Sequence, residues 1–147
     1  MTDYSTVFES FLSKISDPLY SVLEVELLEK DLTSIMNRAI LAFPYSKVDI
    51  RDKDDEAQTF GVELGLDEVE LLAEIMAYVW LKRELQNVDN LRQYMTTKDF
   101  NTYSQANHIN ALNNTLRNME QQVKKLKIQY GLRESYNKSS LTRLGGD

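Results

Sequence analysis

Few residues in this chain are equipped for chemistry. His108 is the only histidine, and cysteine is absent. Without thiols, disulfide frameworks, thiol catalysis and zinc–thiolate sites are excluded. A nucleophile–histidine–acid triad would have to use His108, with Ser104 one turn earlier as the nearest hydroxyl on the same face. Two residues stacked on a helix do not make an oxyanion site, so His108 reads as a hydrogen-bonding residue of a surface or a helix contact. The second candidate is the acidic cluster Asp52, Asp54, Asp55 and Glu56. Asp52, Asp54 and Glu56 alternate, and Glu63 falls twelfth counting from Asp52, which partly copies a calcium loop. Ala57, however, stands where the sharp turn needs glycine, and Arg51 and Lys53 add positive charge. The same carboxylates lack the companion motifs of a hydrolase. Gly61 and Gly65 lack the Lys-Ser/Thr that follows a phosphate-cradling loop. No catalytic residue, metal site or cofactor is expected.

Binding chemistry is no richer. Lys124, Lys125 and Lys127 form a basic patch, but they are mixed with Asn and Gln in a chain of pI about 4.9. That pattern reads as a solvated face rather than a DNA reader. Trp80 with Tyr78, Tyr94 and Tyr103 reads as core or inter-subunit packing rather than a ligand cage.

The elements that must position these residues are helical. Only 5 Gly and 2 Pro occur in 147 residues, too few for a protein of many tight turns. A first helix is predicted over Tyr4–Ile15, capped by Thr2 or Asp3, with Val7, Phe8, Phe11, Leu12 and Ile15 on one face. A second is predicted over Val25–Phe43 and ends at Pro44. Residues 46–63 are irregular. Within them Phe60, Val62 and Leu64 alternate with Gly61, Glu63 and Gly65, the period of a short strand. Such a strand needs a hairpin partner within residues 46–64 or a strand from another copy. A third helix starts at Asp67, with Glu70 at capping-box spacing. Its wide apolar arc, from Val69 to Leu81, places it at the centre of the bundle. Val88 to Met95 is expected as a short helix or an irregular continuation. The last helix is predicted over Phe100–Tyr130, capped by Thr97 or Asp99. Ile109, Leu112, Leu116, Met119, Val123, Leu126 and Tyr130 make a seven-residue seam along it. Gly131 fits the left-handed position that closes a helix. The expected fold is therefore mainly α: about four helices, a short extended segment near 58–64, a bundle domain over 1–131 and a flexible polar tail over 132–147.

Length and charge bound the rest. The chain suits one domain, and its 42% hydrophobic content is enough for a core. No segment approaches the apolar length of a membrane span, and Met1 to Ser10 is acidic-polar rather than a secretory leader. A cytoplasm-like compartment is the expectation. The net charge of −6 conceals a polarity. Residues 1–75 carry −11, with −7 of it in 45–75, and residues 76–147 carry +5. The two halves can attract within one molecule, or between copies as head-to-tail association.

Several stretches together resemble a known class of protein. They are Asp3-Tyr4-Ser5; Lys14-Ile15; Leu32; Ala39-Ile40 with Phe43; Asp49 and Asp52; and Phe60 to Leu64. Further on come Glu70, Leu72-Ala73, Met76 and Trp80-Leu81, then Lys98-Asp99-Phe100, Tyr103-Ser104 and Ala106-Asn107-His108-Ile109 with Leu112. The chain resembles, over roughly residues 3–130, the head–tail connector (adaptor, neck) proteins of tailed phages infecting Gram-positive bacteria. The Lys98–Leu112 stretch and the Met76 to Leu81 helix are its most specific parts. The resemblance implies a helical, non-enzymatic virion protein, assembled in the host cytoplasm into a ring, typically of twelve copies. It implies contact with the portal, with a tail or second neck protein, and with DNA that passes through without specific recognition; no membrane is involved. A C-terminal arm carrying Tyr136, Leu141, Arg143 and Leu144 would reach the portal. Phe60, Val62 and Leu64 would pair between subunits, and Asp52, Asp54, Asp55 and Glu56 would face the channel. The runner-up is a cytoplasmic helical adaptor that dimerises through the 109–130 seam.

Overall fold

The structure is a computed structural model. It describes the backbone of residues 1–15, 17–43, 46–94 and 102–144, and the side chains of 1–15, 17, 20–43, 46–88 and 107–133. The fold is mainly α. In chain order it runs β1 (Thr2–Asp3), α1 (Tyr4–Leu12), a 3-10 turn (Pro18–Ser21), α2 (Val25–Ala42), β2 (Lys53–Asp54), β3 (Thr59–Phe60), α3 (Leu66–Tyr94) and α4 (Thr102–Leu144).

As the wide apolar arc predicts, α3 is the centre: α1, α2 and α4 all pack against it. Leu72, Ala73, Ile75, Met76 and Ala77 of α3 are buried, and Val7 and Phe11 of α1 and Ile35, Met36 and Ala39 of α2 meet them in one core. Burying each of the larger side chains contributes about 1.5–3 kcal/mol. The α2 helix stops where its sequence says it should. Phe43 has φ −69° and ψ 129°, the extended geometry that a following proline imposes.

The extended segment finds its partners within the chain. β2 and β3 form an antiparallel hairpin, Lys53 opposite Phe60 and Asp54 opposite Thr59. β1 adds to the other edge of β3, Thr2 opposite Phe60 and Asp3 opposite Thr59. The sheet order is β1-β3-β2, so both edges of β3 are taken. Phe60 is fully buried, with its ring 5.0 Å from that of Tyr4. Leu64 is buried and Val62 half-buried. Phe60 thus has strand partners on both sides within one molecule, because a strand arriving with the N-terminus takes the edge of β3 that the hairpin leaves open.

Several helix boundaries differ from expectation, each for a local reason. Asp3 occupies the N-cap of α1 but makes no side-chain cap bond. The Tyr4 N–H donates instead to the Gln58 carbonyl, and Thr2 Oγ1 accepts from the Leu64 N–H at 2.9 Å. The capping box at α3 does not form. Helix α3 begins at Leu66, while Asp67 accepts from Arg133 and Glu70 pairs with Lys14. No break separates 82–84 from 88–94: α3 runs on to Tyr94, because Lys82-Arg83-Glu84-Leu85-Gln86 are all good helix formers. Gly131 does not close α4, which continues to Leu144. No described glycine has positive φ, so Gly131 sits inside the helix at an entropic cost of about 1 kcal/mol. The proposed caps Thr97 and Asp99, together with Phe100, lie outside the described residues.

Candidate functional site

The acidic cluster runs along β2 into the turn of the β2–β3 hairpin: Asp52 precedes β2, Asp54 ends it, and Asp55 and Glu56 open the turn. Four residues, Asp55 to Gln58, connect the strands, and Gln58 takes the left-handed conformation (φ 54°) that such loops require. Asp54 Oδ1 accepts the N–H groups of Glu56 (2.9 Å) and Ala57 (3.0 Å), so this carboxylate shapes the turn. Asp55 accepts from the Tyr4 hydroxyl and from Lys53 Nζ, both at 2.6 Å. The Lys53 ammonium, then the Tyr4 hydroxyl, hold the Asp55 carboxyl below its usual range. Burial, then the hydrogen bond to Asp55, drive the Tyr4 phenol well above its own. Asp52 and Glu56 are exposed, with no partner for their carboxylates among the described residues. Among those residues no group of His, Asp or Glu is placed to hold a metal ion. His108 is exposed on α4, and the side chain of Ser104 lies outside the described residues.

A polar network that no local pattern signalled fastens the 17–21 segment to α2 and α3. Arg83 grips Asp31 with both guanidinium nitrogens, at 2.6 and 3.0 Å. The Tyr20 hydroxyl donates to Asp31 Oδ2 at 2.7 Å and accepts from Arg83 Nη2 at 3.2 Å. Trp80 Nε1 donates to Asp17 Oδ2 at 3.1 Å, so Trp80 is a tie between elements. The side chains of Tyr94 and Tyr103 lie outside the described residues. The guanidinium holds the Asp31 carboxyl below its usual range, and burial beside the Asp17 carboxylate pushes Glu84 up.

Helix α4 runs antiparallel to α3. Arg133 meets Asp67 at 2.7 Å, and the Tyr130 hydroxyl donates to the buried Glu68 at 3.0 Å while accepting the Lys47 N–H at 2.8 Å. The seam faces the chain's own core: Val123 and Tyr130 join it, with Met119 and Leu126 packed at its edge. Past residue 133 the helix continues beyond the start of α3, carrying Tyr136, Leu141, Arg143 and Leu144, whose side chains lie outside the described residues.

Between α2 and α4, with α3 as floor, lies a groove of about 460 Å³. Ala42, Ile75, Val79 and Val123 give it an apolar bed, and Arg38, Lys82, Lys124 and Lys127 rim it. Lys124 stands 3.6 Å from Glu120. Among the described residues, Arg38, Lys82 and Lys127 have no acidic partner. Only the Lys124–Lys127 part of this rim is visible as a cluster in the sequence; the rest is 38 and 82, far apart along the chain.

Comparison with known proteins now adds an origin. A family model described as the YomZ prophage protein matches residues 1–130. The chain belongs to the YomZ prophage protein family. It is also similar to the SPbeta prophage-derived uncharacterized protein YomZ of Bacillus subtilis (strain 168), with 25% identity over 126 residues, covering 86% of this chain and 93% of that protein. No solved structure matches the chain. The phage association expected from the resemblance is therefore established. The YomZ match ends at Tyr130, the last residue of α4 that is buried among the described residues. Among the described residues no helix is long and apolar enough to cross a membrane.

Proposed function

We propose that this prophage protein is a virion component that joins head to tail as a ring-forming neck connector. The observation that carries this reading is the form of α4. Up to Tyr130 it completes the core. From there the helix continues through residues 131–144, on the order of 20 Å beyond its partner α3. A helix that continues past the matched core suits a segment that docks elsewhere, and the sequence gives it apolar anchors in Tyr136, Leu141 and Leu144, with Arg143 beside them. The portal is the proposed partner on that side, and a tail or second neck protein on the other. Membership of a prophage family and the resemblance over residues 3–130 support the same role. The place of action is the virion neck, reached after assembly in the host cytoplasm, and the work is structural rather than catalytic.

Deleting the gene from an inducible prophage tests this directly. The expected lysate contains DNA-filled or leaking heads and separate tails by electron microscopy. A copy lacking residues 132–147 should fail to restore joined particles and should no longer co-purify with the portal. Intact, infectious virions from the deletion strain would remove the proposal.

A further inference from the structure

Two groups of charges without partners among the described residues are opposite in sign. The β2–β3 hairpin presents Asp52, just before β2, and Glu56, in the turn, both exposed and without partners among the described residues. The α2–α3–α4 groove presents Arg38, Lys82 and Lys127, equally unpaired, above an apolar bed. Several other charges are already paired inside the chain: Asp31 with Arg83, Asp67 with Arg133, and Glu70 and Glu74 with Lys14. Two of those pairs, Asp31–Arg83 and Asp67–Arg133, join the acidic front of the chain to its basic back.

The two groups lie on different faces of the protomer. Glu29 of α2 holds the hairpin through Gln58 Nε2 at 3.1 Å, and Arg38 of α2 lines the groove. Nine residues at about 100° each put these positions on opposite sides of the helix. An interaction between surfaces on opposite sides of a protomer is heterologous, and it propagates from copy to copy until it closes into a ring or grows as a filament.

We propose that the groove is a docking site for a second copy of this chain, receiving the outer β2 arm of its neighbour's hairpin, residues 52–56. Asp52 and Glu56 lie against Lys82, Lys127 and Arg38, and the α3 floor supplies the apolar contact. The inference deepens the ring-forming part of the proposed function and rests on it for its biological setting. It moves the acidic turn from the channel wall to the subunit interface.

The test is a charge exchange on the full chain, read by sedimentation equilibrium and native mass spectrometry. Wild-type protein should associate with rising concentration at low salt. It should dissociate at about 1 M salt, where the screening length falls to about 3 Å. The groove variant (Lys82→Glu with Lys127→Glu) and the hairpin variant (Asp52→Lys with Glu56→Lys) should each associate at least about tenfold more weakly. Mixed together they should associate again, because the reversed groove now accepts the reversed hairpin. Recovery on mixing cannot come from misfolded chains, so it also controls for damage to either variant. A wild-type chain that stays monomeric at low salt overturns the proposal, as does a mixture that stays apart. A third adverse outcome is a monomer that binds a labelled DNA duplex through the groove and loses it in the groove variant. The neck reading fails separately, by intact virions after gene deletion, whatever the purified chain does.

Discussion

Helices α2 and α4 lie on either side of the groove and pack on the same helix, yet they are held in different ways. The α2 helix has 18 residues and buries Leu32, Ile35, Met36, Ala39 and Ile40. The α4 helix has 43, and in its described part only Ile109, Val123 and Tyr130 are buried. A wide apolar arc makes α2 part of the core. A narrow stripe makes α4 a rod laid along the core and pinned at one end by Tyr130 and Arg133. What governs cohesion here is the width of the stripe, not the length of the helix, because free energy follows apolar area removed from water. The contrast suits a protein with a fixed body and a helix that continues past it.

The sharpest way to break this contrast is to cut the same kind of side chain from both helices. Met36 is fully exposed to the core and not at all to solvent. Met36→Ala should cost about 2–5 kcal/mol by loss of transfer energy and opening of a cavity. Leu116 is only half-buried on α4, and Leu116→Ala should cost less than about 1 kcal/mol. Urea denaturation measures both. Equal losses would mean that α4 is as much core as α2.

The second effect probes the pin. Tyr130→Phe keeps the ring against Phe43, where the centroids are 5.6 Å apart, but removes the hydroxyl. Glu68 then stays buried without its donor, and the Lys47 N–H loses its acceptor. A loss of about 1–3 kcal/mol is expected, with faster hydrogen exchange in α4 near residue 130 than in α2. Unchanged exchange there would show that the stripe alone holds the rod.

How far these features could be read from the amino-acid order follows from their range. Apolar spacing reveals α1, α2, α3 and the α4 seam, because a helix repeats its buried face every three or four residues. Pro44 marks the end of α2 by a neighbour effect. Strand β1 is invisible: two residues have no period, and their partner Phe60 is 58 positions away. The Asp31–Arg83 grip spans 52 positions and the Glu68–Tyr130 bond 62, so no local pattern announces either. The acidic turn was visible as a cluster, but which of its carboxylates shape the hairpin and which remain free depends on the fold. Gly131 misleads for the opposite reason: a residue that permits a helix end does not require one.

That glycine supplies the third prediction. A Cβ built on Gly131 meets no atom within 4 Å, and no left-handed geometry demands glycine there. Gly131→Ala should therefore stabilise the protein by about 0.5–1 kcal/mol, by restricting the unfolded chain, and should raise the helical circular dichroism signal. A loss of stability instead would mean that α4 ends or bends at this point, and that residues 132–144 are not a continuation of the rod.

The smallest effect sits on the α2 side and depends on pH. Asp31 is held below its usual range by Arg83, so its contribution is present above its unfolded pKa and fades as pH falls through the lower folded value. Glu84, next to Arg83 on α3, has the opposite sign. Burial and the Asp17 carboxylate raise it, so its folded form favours the proton; stability is greatest below its unfolded pKa and is lost as pH rises through the folded value. Glu84→Gln removes only the second dependence. At pH 7 it should stabilise by a few tenths of a kcal/mol at most, roughly, because solvent screens a half-buried group. Below about pH 4, where Glu84 is protonated, the variant and the wild-type chain should melt together. The acid-side loss due to Asp31 should persist in both. If the variant instead melts lower at pH 7, Glu84 is a needed partner of Arg83, and the α2–α3 interface is held by charge as much as by its wide apolar arc.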